Sequence, residues 1–262
     1  MKFHPGLELC IPDHELSFRY GAGVVGPIPE MRRLDAIRPS LRDPGCDGPD
    51  PVYGIAMDVC REEHHEDLRK RMLLLGAVVF ASGRLGEEPV RSQGHIHTAA
   101  PHSGWSPPEL FEIWEGSAII YAQETADDQP GRCFAISASL GDQVVVPPGW
   151  AHCVINADPS RRMAFGAWCD REYGFDYRGV RAHGGLAWFP LLPQKGKSTP
   201  VHWVRNPTYL ASELTVKTPS PYPALGLDSS VSIYNQFVKC PNAIQWVSEP
   251  ARVAGVWANF IP

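Results

Sequence analysis

Between residue 51 and about residue 180, apolar and β-branched residues come in short runs separated by turn signals: PVYGIAMDVC, LLLGAVVFAS, ELFEIWE, SAIIYAQ, CFAISAS, QVVVP and RMAFGAW. Runs this short and this closely spaced predict the strands of a sandwich or barrel rather than βαβ units, which need a helix between successive strands. Where the pattern alternates, it also assigns faces. In ELFEIWE the period of two groups Glu109, Phe111 and Ile113 on one face and Leu110, Glu112 and Trp114 on the other. The one charged interruption, CREEHHEDLRKRM, predicts a helical turn. Residues 1–50 have a different texture, rich in Pro and Gly and ending in RPSLRDPGCDGPDP, which predicts irregular wrapping structure with a short helix over MRRLDAI. From 185 to 262 the chain carries Trp188, Trp203, Trp246 and Trp257 among many prolines, and SIYNQFVKCPNAIQWVSEPARVAGVW has weak helical periodicity. The expected organisation is therefore an N-terminal wrapping segment (1–50), an all-β barrel (51–184), and a C-terminal extension (185–262) that caps the barrel or makes a subunit contact.

Composition narrows the classes of partner. A chain of 262 residues that is 44% hydrophobic can bury a substantial core without a second globule. A net charge of -5 provides no basic footprint for a phosphate backbone, so nucleic acid is not expected as a partner. No run approaches the roughly 20 apolar residues needed to span a bilayer. The start, MKFHPGLELCIPDHEL, interrupts its short apolar stretch with His4, Pro5, Glu8 and Asp13 and does not read as a signal peptide. The seven cysteines are scattered and form no C-x-x-C pair, which suits reduced thiols and a cytoplasmic location.

The chemistry concentrates in the middle of the chain. If GHIH is a strand end, His95 and His97 share a face and Ile96 turns away. A third histidine, His152, follows the turn in PPGWAHCVIN, where Cys153 points to the opposite face and is not a candidate ligand. Glu109 has only apolar company on its face, as a carboxylate directed into a barrel would; an odd register slip would put Glu112 or Glu115 there instead. Three neutral imidazoles and one carboxylate suit a borderline divalent ion and leave coordination positions open to substrate. His4, His14, His64, His65, His183 and His202 are expected to be ordinary surface or core residues, and His102 an ordinary loop residue.

These residues resemble the two motifs of the cupin superfamily. Gly141, Pro147, Gly149, His152 and Asn156 fall at every position of the second motif, and His95, His97, Glu109 and Gly116 supply the first. In this chain Pro89 stands in place of the first motif's leading glycine, and eleven residues, including TAAPHSGWSPP, separate His97 from Glu109 in place of a short gap. Within the superfamily, residues 20 to 185 are similar to the archaeal, cupin-type glucose-6-phosphate isomerases in the order of RRLDAI, DPVYGIAMDV, SQGHIH, ELF, VPPGWAH and GFDYRG.

The resemblance implies a cupin double-stranded β-helix, or jelly-roll barrel. It further implies metal ligation by His95, His97, Glu109 and His152, with Fe2+ as the expected ion and Mn2+, Ni2+, Co2+ or Zn2+ as alternatives. Ser92 and the Gly94 backbone N–H become the expected phosphate contacts, and Phe111, Trp168 and Tyr177 further substrate contacts. Three hydroxyl positions of the relatives become Val78, Phe111 and Trp168 here. The implied activity is aldose–ketose isomerisation of a sugar phosphate, glucose 6-phosphate to fructose 6-phosphate, in glycolysis and gluconeogenesis, with Glu109 as base and a homodimer as the assembly. A metal-dependent cupin dioxygenase and a non-catalytic sugar-binding cupin remain as alternatives, the first marked by oxygen uptake and the second by binding without turnover.

Overall fold

The apolar runs become the strands of two facing sheets in the computed structural model, which describes residues 4–193 and 201–262. In chain order these are β1 (Glu30–Arg32), β2 (Tyr53–Met57), β3 (Leu73–Phe80), β4 (Glu109–Glu115), β5 (Ser117–Gln123), β6 (Cys133–Ser139), β7 (Gln143–Val146), β8 (Ala151–Asn156), β9 (Met163–Asp170) and β10 (Leu214–Lys217). The larger sheet has the order β7-β4-β9-β3-β2-β1 and the smaller β8-β5-β6-β10. From β4 onward the chain passes repeatedly between the sheets, which is the jelly-roll path. Neighbours are antiparallel except β6 and β10, which run parallel.

The N-terminal segment wraps the barrel and also joins it. MRRLDAI does not form one helix: Glu30–Arg32 pairs with β2 at the edge of the larger sheet, Arg33 remains extended, and α1 covers only Leu34–Ile37. The helix starts there because the Leu34 N–H is accepted by Asp50 (3.1 Å), while Arg32 lies in register with Tyr53. The charged interruption forms a 3-10 turn over Glu62–His64 followed by α2 (His65–Lys70).

β3 reads LLLGAVVF, with no alternation, because both its faces are buried. Leu74, Val78 and Phe80 point into the barrel, while Leu73, Leu75, Ala77 and Val79 lie under an outer cover. Two segments supply the outer layers. Val180 of α3 (Arg178–Ala182), Leu186, Val201 and Tyr209 pack on the outer face of the smaller sheet. Tyr234 and Phe237 of α4 (Ile233–Lys239), with Trp246, pack on the larger one. Gly166 on β9 is required by this layer, since any Cβ there would overlap the Trp114 indole.

A buried carboxyl group and a buried ion pair tie the layers together. Glu112, on the outer face of β4, accepts hydrogen bonds from the Ile233 N–H (2.9 Å) and Trp114 Nε1 (3.0 Å), so the cap docks on a carboxyl group. Arg91 and Glu88 are each 2% exposed and pair at 2.6 Å. Arg91 also donates to the Ser40 carbonyl (2.7 Å), and Glu88 accepts the Arg42 N–H (2.8 Å), which anchors the wrapping segment just before the GHIH stretch.

Candidate metal centre

His95 and His152 face each other across a two-way backbone bridge, His95 N to His152 O at 3.0 Å and His152 N to His95 O at 2.9 Å. Gly94, at φ +90, turns the chain into that bridge. His97 follows on the same face in a short pairing of Ile96–His97 with Phe175–Asp176, and Ile96 turns outward to the smaller sheet's cover. The three rings come together with centroids 4.4 to 5.0 Å apart. β4 delivers Glu109 to the same point, its Oε2 3.0 Å from His152 Nε2 and 3.4 Å from His97 Nε2. One ligand atom from each of the four residues lies within 4.8 Å of all the others.

The protonation pattern suits a cation. His97 Nδ1 donates to the Pro107 carbonyl (2.9 Å) and His152 Nδ1 to the Trp150 carbonyl (3.1 Å), which leaves each Nε2 lone pair directed at the centre. The Nε2 atoms of His95 and His97 are buried without a protein hydrogen-bond partner. Burial, reinforced by the neighbouring imidazoles, holds His95 well below its ordinary value; burial also holds His97 down, to about 4. For Glu109, burial pushes the carboxyl up, but the adjoining His152 and His97 imidazoles and the Cys169 thiol outweigh it and keep the group below its ordinary value. Three neutral imidazoles and an ionised carboxylate converging on orphaned nitrogens fit one divalent metal ion.

The long gap between His97 and Glu109 has a structural task. Ser106 Oγ donates to the His97 carbonyl (2.6 Å) and accepts the Gly149 N–H (3.0 Å), while the Pro107 carbonyl accepts the His97 Nδ1–H. The inserted loop thus orients a ligand and ties the two motifs together. His102 is not part of the cluster; it pairs with Asp170 at 2.7 Å.

The four predicted ligand residues are brought together, and Ser92, Phe111 and Tyr177 line the pocket in front of them, as does Val78. One expected contact is placed elsewhere. Trp168 lies on the outer face of β9, opposite Leu110, where its Nε1 donates to the Ile233 carbonyl (3.1 Å) and its ring stacks on Tyr234. At Gly94 the place of the missing Cβ is 2.9 Å from the Leu186 side chain, on the outer layer; the contact expected of this residue is its backbone N–H.

Sequence reasoning missed Cys169, whose thiol lies 3.2 Å from Glu109 Oε1. Burial, with Glu109 next to it, pushes this thiol well above its ordinary value, so it stays protonated and acts as a donor. Also missed were Arg32, Tyr53, Gln93 and Tyr173. YGFDY, residues 173 to 177, carried a legible signal: three aromatics at every second position of an extended segment share one face. Tyr173 packs against the His97 ring (4.7 Å) and Phe175 against His95 (4.6 Å), forming an aromatic wall beside the cluster.

A jelly roll in which three histidines and a glutamate converge on one point, an arrangement able to hold a metal ion, is a cupin. Residues 43–200, more than half of the chain, match the family model for glucose-6-phosphate isomerase (GPI), and the chain belongs to that family of sugar-phosphate isomerases. No curated protein matches the sequence. Among solved structures the chain is similar to recombinant oxalate oxidase in complex with glycolate, with 13% identity over 45% of this chain and 50% of that one and a TM-score of 0.33. It is also similar to Bacillus subtilis oxalate decarboxylase, known for its Mn(II) centres (18%, 48% and 25%, TM-score 0.31). A third likeness is to vicilin from hazelnut, Corylus avellana (12%, 50% and 33%, TM-score 0.35). The chain spans half or less of each of these three. No helix among the described residues is long and apolar enough to cross a membrane.

If the four residues hold one ion, His97→Ala should lower the metal content of purified protein severalfold, because the remaining ligands lose both a donor and the loop contact that orients it. His64→Ala, whose ring contacts Tyr234 away from the cluster, should leave it unchanged. Elemental analysis of the two variants checks this, and equal metal in both would remove the assignment.

Proposed function

We propose that the protein is a metal-dependent aldose–ketose isomerase that interconverts glucose 6-phosphate and fructose 6-phosphate, with Fe2+ as its ion, acting as a cytoplasmic homodimer in glycolysis and gluconeogenesis. The observation that carries this reading is the convergence of two orphaned imidazole nitrogens with an ionised glutamate at one end of a pocket rich in aromatic side chains, in a chain of this family. A divalent ion held by His95, His97, Glu109 and His152 would supply Lewis acidity to the oxygens on C1 and C2 of the sugar.

The chain supplies the base for the transfer between carbons, and the proton that the C1 oxygen gains is matched by the one that the C2 hydroxyl loses. Glu109 takes the proton from C2 of the aldose while the C1 carbonyl oxygen gains one, giving the cis-enediol; it returns the proton to C1 as the C2 hydroxyl loses its own, giving the ketose. With Oε2 turned to the imidazoles, Oε1 is the oxygen left for this work, and the Cys169 thiol fixes its direction. Tyr173 and Phe175 keep water from the reacting carbons. Ser92 accepts the Val154 N–H at its hydroxyl (3.0 Å) and retains its proton to donate to substrate. The Gly94 backbone N–H, two residues on, is the second phosphate contact in this reading.

The test is a panel of aldose and ketose phosphates offered to protein reconstituted with Fe2+, followed by NMR. Interconversion of glucose 6-phosphate and fructose 6-phosphate that a chelator abolishes and added metal restores is the expected result. Oxygen consumption without isomerisation would make the protein a dioxygenase, and binding without turnover a sugar-binding cupin.

A further inference from the structure

The strand registers of the larger sheet divide the floor of the pocket into rows. Leu110 pairs with Trp168, which sets Glu109 beside Cys169, and these two form the reacting row. Two residues further along the strands, roughly 6.8 Å away, Phe111 pairs with Ala167, Ala167 with Gly76, and Gly76 with Met57. The next row joins Phe165, Val78 and Ile55. All of these residues line the one pocket, yet no side chain in the second or third row carries a hydroxyl, an amide or a charge. The backbone offers nothing either, since β4, β9 and β3 each have a paired strand on both sides. A Cβ on Gly76 would stand 2.9 Å from Met57 Sδ, so the thioether covers the place that the glycine leaves open.

The segments that line the pocket from outside this sheet are different. Ser92, Gln93 and Tyr177 bring hydrogen-bonding groups to it. Ser92 accepts the Val154 N–H at its hydroxyl (3.0 Å) and keeps its own proton free to donate. The Gln93 carbonyl oxygen is occupied by Arg181 Nε (3.0 Å) and Nη2 (2.9 Å), which leaves its amide hydrogens for the pocket. The cavity is thus two-sided, with donors on one part of its wall and a continuous apolar floor under the rest. A substrate hydroxyl turned to that floor gives up its hydrogen bonds to water and gains none. A bare methylene in the same place loses nothing and buries apolar surface.

We propose that the pocket is built for a sugar with a deoxygenated middle: it binds a sugar phosphate lacking the C4 hydroxyl at least as tightly as the fully hydroxylated sugar, and deoxy sugars are substrates of the enzyme. This deepens the isomerase reading and rests on it for the reacting end. With C1 and C2 at Glu109, the carbons from C3 to C5 pass over the apolar rows, and C4 is the central one. Phe111, Ala167, Gly76 and Met57 are then the residues that set specificity at this carbon. Glucose 6-phosphate remains a substrate, because an apolar surface rejects an added hydroxyl only weakly. The chemistry is the same for both sugars, since the proton moves between C2 and C1 and the C4 hydroxyl takes no part.

The experiment is calorimetric titration of metal-loaded protein with glucose 6-phosphate and 4-deoxyglucose 6-phosphate, for wild type, Ala167→Ser and Phe111→Tyr, with a thermal melt of each variant and turnover of both sugars followed by NMR. Wild type should bind the 4-deoxy sugar as tightly as glucose 6-phosphate or up to about 100-fold more tightly, the range over which an apolar pocket discriminates against a hydroxyl. Ala167→Ser and Phe111→Tyr each place a hydroxyl in the floor, and each should move the affinity ratio about tenfold towards glucose 6-phosphate, the value of one hydrogen bond. Two variants are used so that a fold defect in one leaves the other to be read. Weaker binding of the 4-deoxy sugar by wild type, or an unchanged ratio in the folded variants, overturns the proposal. Because binding is read apart from turnover, the two readings fail separately. Isomerisation of glucose 6-phosphate with weaker binding of the deoxy sugar removes this proposal alone, preferential binding of the deoxy sugar without turnover of either removes the isomerase alone, and binding of neither removes both.

Discussion

Glu109→Gln should lower kcat by about 10²- to 10⁴-fold, the range that a positioned general base contributes, while metal content falls far less. The substitution keeps the side-chain volume and one carbonyl oxygen that can face the centre. It removes the negative charge and the ability to accept a proton from carbon. The neighbours exaggerate the difference: the Cys169 thiol is placed to donate to Glu109 Oε1, an arrangement made for a carboxylate. Steady-state kinetics with glucose 6-phosphate, paired with elemental analysis of the same preparation, checks both halves. A Glu109→Gln enzyme with normal kcat would show that the proton moves through another group. Glu112→Gln is the matched control, since Glu112 points away from the pocket and should leave kcat unaffected.

Glu112 carries the second large effect, on stability. Burial pushes its carboxyl up to about 7, against the three hydrogen bonds from Trp114, Ile233 and Gln143 that favour the ionised form. A carboxyl raised in the folded state keeps a proton that the unfolded chain has already released. Its contribution is therefore fully present below the ordinary glutamate value of 4.5 and is lost as the pH rises to about 7. The expected loss across that window is about 3 kcal/mol. His97, held down to about 4, gives a slope of the opposite sign over part of the same range. The informative quantity is thus the difference in unfolding free energy between wild type and Glu112→Gln. That difference should drift by about 3 kcal/mol in favour of the variant between pH 4.5 and 7 and then level off. Urea unfolding at several pH values measures it, and a constant difference would show that the carboxyl titrates normally.

Much of the site was legible because two kinds of regularity agree. Alternation in ELFEIWE placed Glu109 and Phe111 on the inner face, and the motif spacing joined His95 and His97 to His152; each is a local property that the barrel preserves. Trp168 shows where local reading ends. Its face is set by pairing with β4, where Leu110 opposes Trp168, so the inward position beside Glu109 belongs to Cys169. The same pairing logic was available from ELFEIWE, but an alignment to relatives does not respect strand parity. Arg32 escaped for a different reason. RRLDAI looks helical by composition, and only the long-range pairing of Arg32 with Tyr53 makes it a strand residue facing the pocket. Gly94 has a positive φ that serves the bend delivering His95.

The parallel strand β10 has a consequence for synthesis. Without it β6 is the open edge of the smaller sheet, presenting the unpaired peptide groups of CFAIS, an apolar segment of the sort that pairs with other chains. Every other strand of both sheets has been translated by residue 170, yet the closing segment begins at Leu214. At about 5–20 residues per second, the nascent barrel waits several seconds with that edge uncovered. The protein is therefore most vulnerable to aggregation while its fold is nearly complete, and chains interrupted between residues 170 and 214 should be the ones that chaperones retain.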